Sequence, residues 1–316
     1  VKTAAGIPAR IQFIAQVKAI KFAPKNCPQN RIGRIKMGIT VTPSGQACGA
    51  SITGVDLSQP LSDEQIAEIR TAWLEHKVLS FPHQPMTDND LERFTLSFGA
   101  FGDDPFIAPI EGRKNIIAVE RRADEKAPLF AENWHTDWSF QKAPPAGTCL
   151  YGIKIPLKGG DTLFANQQKA WRDMPAYQQE KYRDLVAIHS AKSAYSPEGM
   201  YGKEDQTSDR SMDIRPSEDA RKLQTHPLVH KHPETGVEGF YSCLGYIVGL
   251  VDKTEEEAFA LLKELNDWQG NKEFVYTHKW QPQMLVMWDN RALLHRATGG
   301  HEGEDRLLHR TTIAAY

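Results

Sequence analysis

The sequence predicts a mostly β protein: a β core with helices packed outside it. Three observations carry that expectation. Short β-branched and apolar segments recur and are cut by Gly, Pro and Asn turns. Capped helical segments stand before and between them. The composition, 316 residues with 40% hydrophobic and 25% charged side chains, is enough to bury a sizeable core.

The elements follow in order. Residues 39–58 read as short strands broken by Gly45, Gly49 and Gly54. Ser62-x-x-Gln65 is a capping box, and Ile66, Ile69 and Trp73 share the face of the helix behind it. Residues 77–81 form an apolar strand stopped by Pro82, and 87–98 a helix capped by Thr87 and ended by Gly99. Trp73, Phe94 and Phe98 are expected in the core. A strand is expected over 115–120, then 148–155, a Gly159-Gly160 turn, and 162–165. Residues 167–186 look helical with a break at Pro175. Residues 192–225 are polar, without a strong period, and read as a lid or insert. A hairpin over 228–241 turns at Pro233–Gly236, a helix over 254–268 opens on Thr254-x-x-Glu257, and strands follow at 283–288 and 306–314.

Charge is uneven. Eight of the 38 basic residues precede the first acidic one, Asp56, leaving 30 basic against 40 acidic side chains beyond. An acidic body repels phosphate backbones, which argues against nucleic acid as a partner. Residues 1–36 are read as a basic N-terminal extension, with one domain over 37–316. A targeting segment and a polyanion-binding arm are the other readings, and the lack of serine before Ser44 counts against the first. No run of eighteen apolar residues offers a membrane span. Cys27, Cys48, Cys149 and Cys243 lie far apart with no C-x-x-C spacing, so neither a zinc ribbon nor a disulfide framework is indicated, and a reducing, cytoplasmic setting is expected. Cys149 and Cys243 are expected to pack as small apolar groups.

The chemistry begins at Trp134-His135-Thr136-Asp137. On an extended segment residues i and i+2 project to one side, so His135 and Asp137 can face one atom. Two imidazoles and a carboxylate on one face of an octahedron bind Fe(II) and leave three positions open. Alone, such a pair is usually a surface loop feature. His295, behind the apolar strand at 283–288, can supply the second imidazole. Arg306 and Arg310 are four apart and share a face of the last strand, where guanidinium groups suit anions. On their own they would read as solvated arginines of an edge strand. His230-x-His232 precedes a Pro-led turn and is read as two strand-end histidines.

Taken together, H-T-D at 135–137, G-G-D-T at 159–162, W-D-N-R at 288–291, His295, Arg306 and Arg310 resemble the taurine / 2,4-dichlorophenoxyacetate (TauD/TfdA) dioxygenase family. The resemblance covers about residues 40–316 and includes I-T-G-V-D at 52–56 and H-P-E-T-G at 232–236. The spacing of eleven and fifteen residues from His295 to the two arginines also matches. It implies a double-stranded β-helix, a cupin-like jelly roll with buttressing helices, and Fe(II)- and 2-oxoglutarate-dependent hydroxylation of a C–H bond with release of succinate and CO2. Carried over by position, His135, Asp137 and His295 are the iron ligands. Thr162 and Arg306 hold the distal carboxylate of 2-oxoglutarate. Arg310 meets the substrate's anionic end or the co-substrate's C1 carboxylate, and Trp288 lines the pocket beside the metal. The implied partners are O2 and a small anionic organic substrate: a sulfonate, sulfate ester, or aryloxy or alkyl carboxylate. A homo-oligomer is compatible with this reading. Asp104, Ile107 and Ala131 stand where taurine-specific members carry sulfonate-binding groups, which disfavours taurine. Phe106, Ile107, Tyr201 and Tyr241 are candidate apolar contacts. A non-catalytic, metal- and 2-oxoglutarate-binding regulatory protein of the same fold is the alternative, and the intact triad with both arginines argues against it.

Overall fold

In the computed structural model the described residues are 38–205 and 209–315. The basic extension at 1–36 lies outside them. One large sheet runs in the order β1 (Thr40–Pro43), β2 (Ala50–Thr53), β3 (Val78–Phe81), β13 (Leu285–Asp289), β5 (Gly147–Lys154), β15 (Arg306–Ile313), β4 (Ile117–Arg121). Only the β2–β3 pair among these is parallel. A three-stranded sheet, β12 (Val275–His278), β6 (Thr162–Asn166), β14 (Leu293–Ala297), lies against it. The contact is a single apolar cluster in which Leu150, Val286, Trp288 and Leu308 of the large sheet meet Phe164, Tyr276 and Leu293 of the small one. Two sheets, antiparallel but for the β2–β3 pair, packed face to face on this cluster form the expected jelly roll.

Period-two alternation explains the layers. On β13, Val286 and Trp288 face the small sheet, while Leu285 and Met287 face a second cluster on the outer side. That cluster is roofed by α1 (Asp63–His76) and α2 (Asp88–Leu96), and it contains Trp73, Phe94 and Phe98 as expected. Both helices begin with the capping boxes read from the sequence, Ser62 with Gln65 and Thr87 with Asp90. α1 stops at Lys77, which takes a left-handed conformation and donates its N–H back to Trp73.

The remaining helices and strands show where sequence reasoning fell short. The helical stretch at 167–186 is two short helices, α3 (Gln167–Arg172) and α4 (Ala176–Tyr182), parted at Pro175, and Val186 already opens a strand. That strand, β7 (Val186–His189), lies between β8 (Gln224–Pro227) and β11 (Ile247–Leu250) in a sheet not anticipated. The hairpin of β9 (Val229–Lys231) and β10 (Glu238–Phe240) and the long helix α6 (Glu255–Gln269) stand as expected. Residues 192–225 are not merely a polar surface loop. They hold the short helix α5 (Lys192–Tyr195) and bury Tyr195, Tyr201, Met212 and Ile214 against Phe106, Ile107 and Trp138.

Candidate metal centre

His135 lies just outside the small sheet, and backbone hydrogen bonds fasten it to β14. His295 donates its N–H to the His135 carbonyl at 2.7 Å, and His135 returns one at 3.0 Å. This pairing sets the two imidazoles side by side, with ring centroids 4.2 Å apart. Both Nε2 atoms face the same Asp137 carboxylate oxygen, at 3.9 and 3.7 Å. One donor atom from each residue falls within 4.8 Å of the others, and no other such group of three exists among the described residues.

The surroundings suit a cation. His135 Nδ1 lies 2.9 Å from the Asn133 carbonyl, so Nδ1 carries the proton and the Nε2 lone pair points inward. Burial pushes both imidazoles to lower pKa, His295 to about 3, so they stay neutral donors. Burial alone would raise Asp137, but the charge of Arg310 and the hydrogen bond from Thr148 act against it, and its pKa lies below the usual carboxylate value. Its second oxygen accepts a 2.5 Å hydrogen bond from Thr148, which accepts from the Asn290 side-chain amide. Asn290 in turn accepts from the Trp288 indole. Two neutral imidazoles and an oriented carboxylate fit a divalent iron. Thr148 was not singled out in the sequence. Its signal is spacing alone, eleven residues past Asp137 and inward on β5.

Two cavities meet at this centre. His135 and Arg310 line both. The first runs past Trp288, Thr162 and Arg306. There Thr162 accepts a hydrogen bond from the Trp280 indole at 2.9 Å, which leaves its own proton free to donate. Arg306 is buried, which lowers its pKa to about 10, and its Nε has no hydrogen-bond partner. Gly159 and Gly160, both at positive φ, allow the approach: a Cβ on Gly159 would lie 2.3 Å from the Gly300 carbonyl oxygen.

The second cavity is walled by Phe130, Trp134, Trp138, Tyr195, Tyr201 and Tyr246. Of the expected apolar contacts only Tyr201 lines it. Phe106, Ile107 and Tyr241 are buried, away from either cavity. Arg310 is already engaged: Asp104 pairs with one guanidinium nitrogen, the Trp138 ring lies 5.0 Å from the guanidinium, and Asp104 also accepts from the Trp138 indole at 2.7 Å. The charges of Asp104 and Asp137 keep Arg310 protonated against the effect of burial. Sequence reasoning treated Asp104 only as a group unsuited to a sulfonate and missed this pairing across 206 residues.

Other motifs turn out to be structural. His232 binds Asp289 at 2.9 Å, and Arg291 bridges Asp289 and Glu234 at 2.8 and 2.7 Å, so H-P-E-T-G and W-D-N-R interlock. His230 bonds the Arg291 carbonyl and takes no part in a metal site. Cys149 and Cys243 are buried thiols pushed up to about 12 and about 11 by burial.

Comparison with known proteins agrees with this geometry. The family model described as "Taurine catabolism dioxygenase TauD, TfdA family" matches residues 40–312. An alkylsulfatase of Acinetobacter baylyi is 32% identical over 269 residues, spanning 84% of this chain and 82% of that protein. A (S)-phenoxypropionate/alpha-ketoglutarate-dioxygenase of Delftia acidovorans is 31% identical, spanning 82% of this chain and 89% of its own length. Among solved structures, a taurine dioxygenase from Burkholderia xenovorans superposes with a TM-score of 0.73 at 28% identity, covering 88% of this chain and 90% of that one. AAD-2 in complex with Mn(II) and N-oxalylglycine gives 0.70 at 25% identity, over 88% and 98%. With its length matched from the first strand to the last, and a His–Asp–His cluster where such enzymes bind iron, the chain belongs to the TauD/TfdA family of Fe(II)- and 2-oxoglutarate-dependent dioxygenases.

Proposed function

We propose that this dioxygenase hydroxylates a C–H bond beside the oxygen or sulfur of a small organic anion with an apolar body, a sulfate ester or aryloxy carboxylate before a simple sulfonate. The observation that carries this is the junction of the two cavities at His135, Asp137, His295 and Arg310, one cavity cationic and the other aromatic. His135, Asp137 and His295 hold the iron, which supplies dioxygen activation coupled to oxidative decarboxylation of 2-oxoglutarate to succinate and CO2. The non-catalytic alternative finds no support in the relatives, which are named as enzymes.

The chain's own residues then have defined tasks. Thr162 donates its free proton to the distal carboxylate of 2-oxoglutarate, and Arg306 supplies the countercharge. Trp288 packs on the His295 ring, with centroids 4.8 Å apart, and closes the wall beside the metal. Arg310 meets an anionic end at the junction, while Asp104 holds its guanidinium in place and neutralises part of its charge. That partial neutralisation favours a ligand bound largely by its apolar body, and the aromatic wall fits one. Hydroxylation of the carbon bearing the ester or ether oxygen gives a product that collapses to a carbonyl compound and free sulfate or phenol. Among the described residues of 192–225, Tyr195, Met200 and Tyr201 form part of the substrate wall, which fits a lid.

No helix among the described residues is long and apolar enough to cross a membrane. The buried free thiols Cys48, Cys149 and Cys243 fit a reducing compartment, so we place the enzyme in the cytoplasm.

The test is oxygen uptake and succinate formation with Fe(II), ascorbate and 2-oxoglutarate against alkyl sulfates, alkyl sulfonates and aryloxy acids. Turnover is expected with bulky sulfate esters or aryloxy acids, at succinate stoichiometric with product. Succinate no higher than in substrate-free controls for the whole panel rejects the assignment.

A further inference from the structure

The far end of the first cavity holds more polar groups than the family resemblance assigned. Arg306 on β15 stands directly opposite Arg121 on β4. Like charges so placed repel unless each meets an anion or acceptor. Arg121 is satisfied: it donates to the Ala127 carbonyl at 2.9 Å and to that of Glu125 at 3.3 Å, and the Glu125 carboxylate lies 3.5 Å away. Arg306 is not. Its one hydrogen bond is a 3.4 Å contact to the Gly160 carbonyl, and the nearby Asp161 is already paired with Lys279 at 3.1 Å.

His301 faces the same space. It sits in the loop between β14 and β15, lines the cavity with Arg306, Thr162 and Thr298, and is only 4% exposed. Both of its ring nitrogens are buried without a hydrogen bond; the Gly299 backbone lies close but outside hydrogen-bonding geometry. An imidazole buried with both nitrogens unmet is unfavourable unless a ligand completes it. Burial and the charges of Arg306 and Arg121 keep it neutral, so it carries one N–H to give.

We propose that His301 is a third donor to the distal carboxylate of 2-oxoglutarate, beside Thr162 and Arg306, and that it helps select a diacid over a monoacid of the same length. The inference rests on the proposed seating of that carboxylate at Arg306. A carboxylate has about four lone-pair directions, so a hydroxyl, a guanidinium and an imidazole can all be accommodated.

The experiment is calorimetric titration of the full chain loaded with Mn(II), using 2-oxoglutarate and 2-oxovalerate, which has the same carbon chain ending in a methyl group. For His301→Leu the Kd of 2-oxoglutarate is expected to rise about tenfold, the worth of one hydrogen bond to a charged group. The Kd of 2-oxovalerate should not move. His301→Gln, which keeps an N–H donor, should stay within about threefold of the parent. An unchanged Kd for 2-oxoglutarate in His301→Leu overturns the proposal. So does an equal loss for both acids, which would mark a structural role. If the leucine variant does not fold, His301→Phe, which keeps a planar ring and removes both nitrogens, carries the same expectations. Equal affinity of the parent protein for both acids would instead reject the seating at Arg306, a failure distinguishable from that of His301 alone.

Discussion

Thr148 illustrates how one hydroxyl can govern a carboxylate proposed to bind a metal. It fixes Asp137 through the oxygen that points away from the two imidazoles, and Asn290 and Trp288 fix Thr148 in turn. Groups that orient a ligand typically contribute about 10–100-fold in metal affinity. Thr148→Val keeps the shape and removes the donor, so Mn(II) or Fe(II) affinity should fall by at least about tenfold, with little change in far-UV circular dichroism. Metal titration checks this, and an unaltered affinity would mean that Asp137 is oriented by other contacts. At this scale the sequence was informative where chemistry is concentrated in short motifs. His135 and Asp137 are two apart, and two or four residues along a strand return to one face. Thr148 and Asp104 were illegible because their partners are reached across strands and a 206-residue separation, which no local pattern encodes.

The strand β15 carries its own tension. Arg306, Leu308 and Arg310 are buried on one face, so a strand next to the edge of the large sheet places two guanidinium groups in the interior. Arg310 has Asp104, whereas Arg306 has no carboxylate of the described residues within ion-pairing distance. Replacing a buried ion pair with apolar side chains of similar volume is often neutral or stabilising by ~1–4 kcal/mol, and a buried guanidinium without a carboxylate has less attraction to lose. Arg306→Met should therefore raise the melting temperature of the ligand-free protein while removing measurable 2-oxoglutarate binding. A scanning-calorimetry run on each protein, paired with titration, decides it; a lower melting temperature would show that Arg306 stabilises the empty fold. The elements most readable in advance were those with caps or unbroken apolar runs, namely α1, α2, α6, β3 and β13. β14 was not foreseen because five residues, Leu293–Ala297, interrupt their apolar pattern with His295 and Arg296. β8, with the sequence Gln-Thr-His-Pro, has no strand signature at all and exists through its pairing with β7.

Across the whole molecule, the buried histidines couple stability to acidity. His189 is fully buried, bonded through Nδ1 to Ser139 at 3.0 Å, and burial pushes its pKa down to about 3. The unfolded chain binds a proton at this position near pH 6.5 and the native protein does not, so stability contributed here is lost as pH falls from about 6.5 towards 3. Between pH 7 and pH 5 this one side chain should cost about 2 kcal/mol. Urea melts of the parent and of His189→Gln at both pH values read the difference, and parallel losses in the two proteins would show that His189 does not titrate on unfolding. The overall architecture was legible because composition, caps and strand spacing agree on a β core with outer helices. The sheet of β7, β8 and β11 and the packed wall around Tyr195, Tyr201, Met212 and Ile214 were not: the apolar run at Val186–His189 directly follows a helical stretch, β8 carries no strand pattern, and the wall's apolar residues are scattered singly among polar ones.

One consequence follows from the indole that holds Thr162. Trp280 donates to the hydroxyl proposed to meet the co-substrate, and the Arg306 guanidinium lies 5.9 Å from its ring. Any anion arriving there changes the electric field across a chromophore built into the chain. Tryptophan emission should thus shift as 2-oxoglutarate is added, and the shift should shrink in Trp280→Phe to what Trp288, in the same cavity, contributes, giving an unlabelled optical gauge of how full the pocket is.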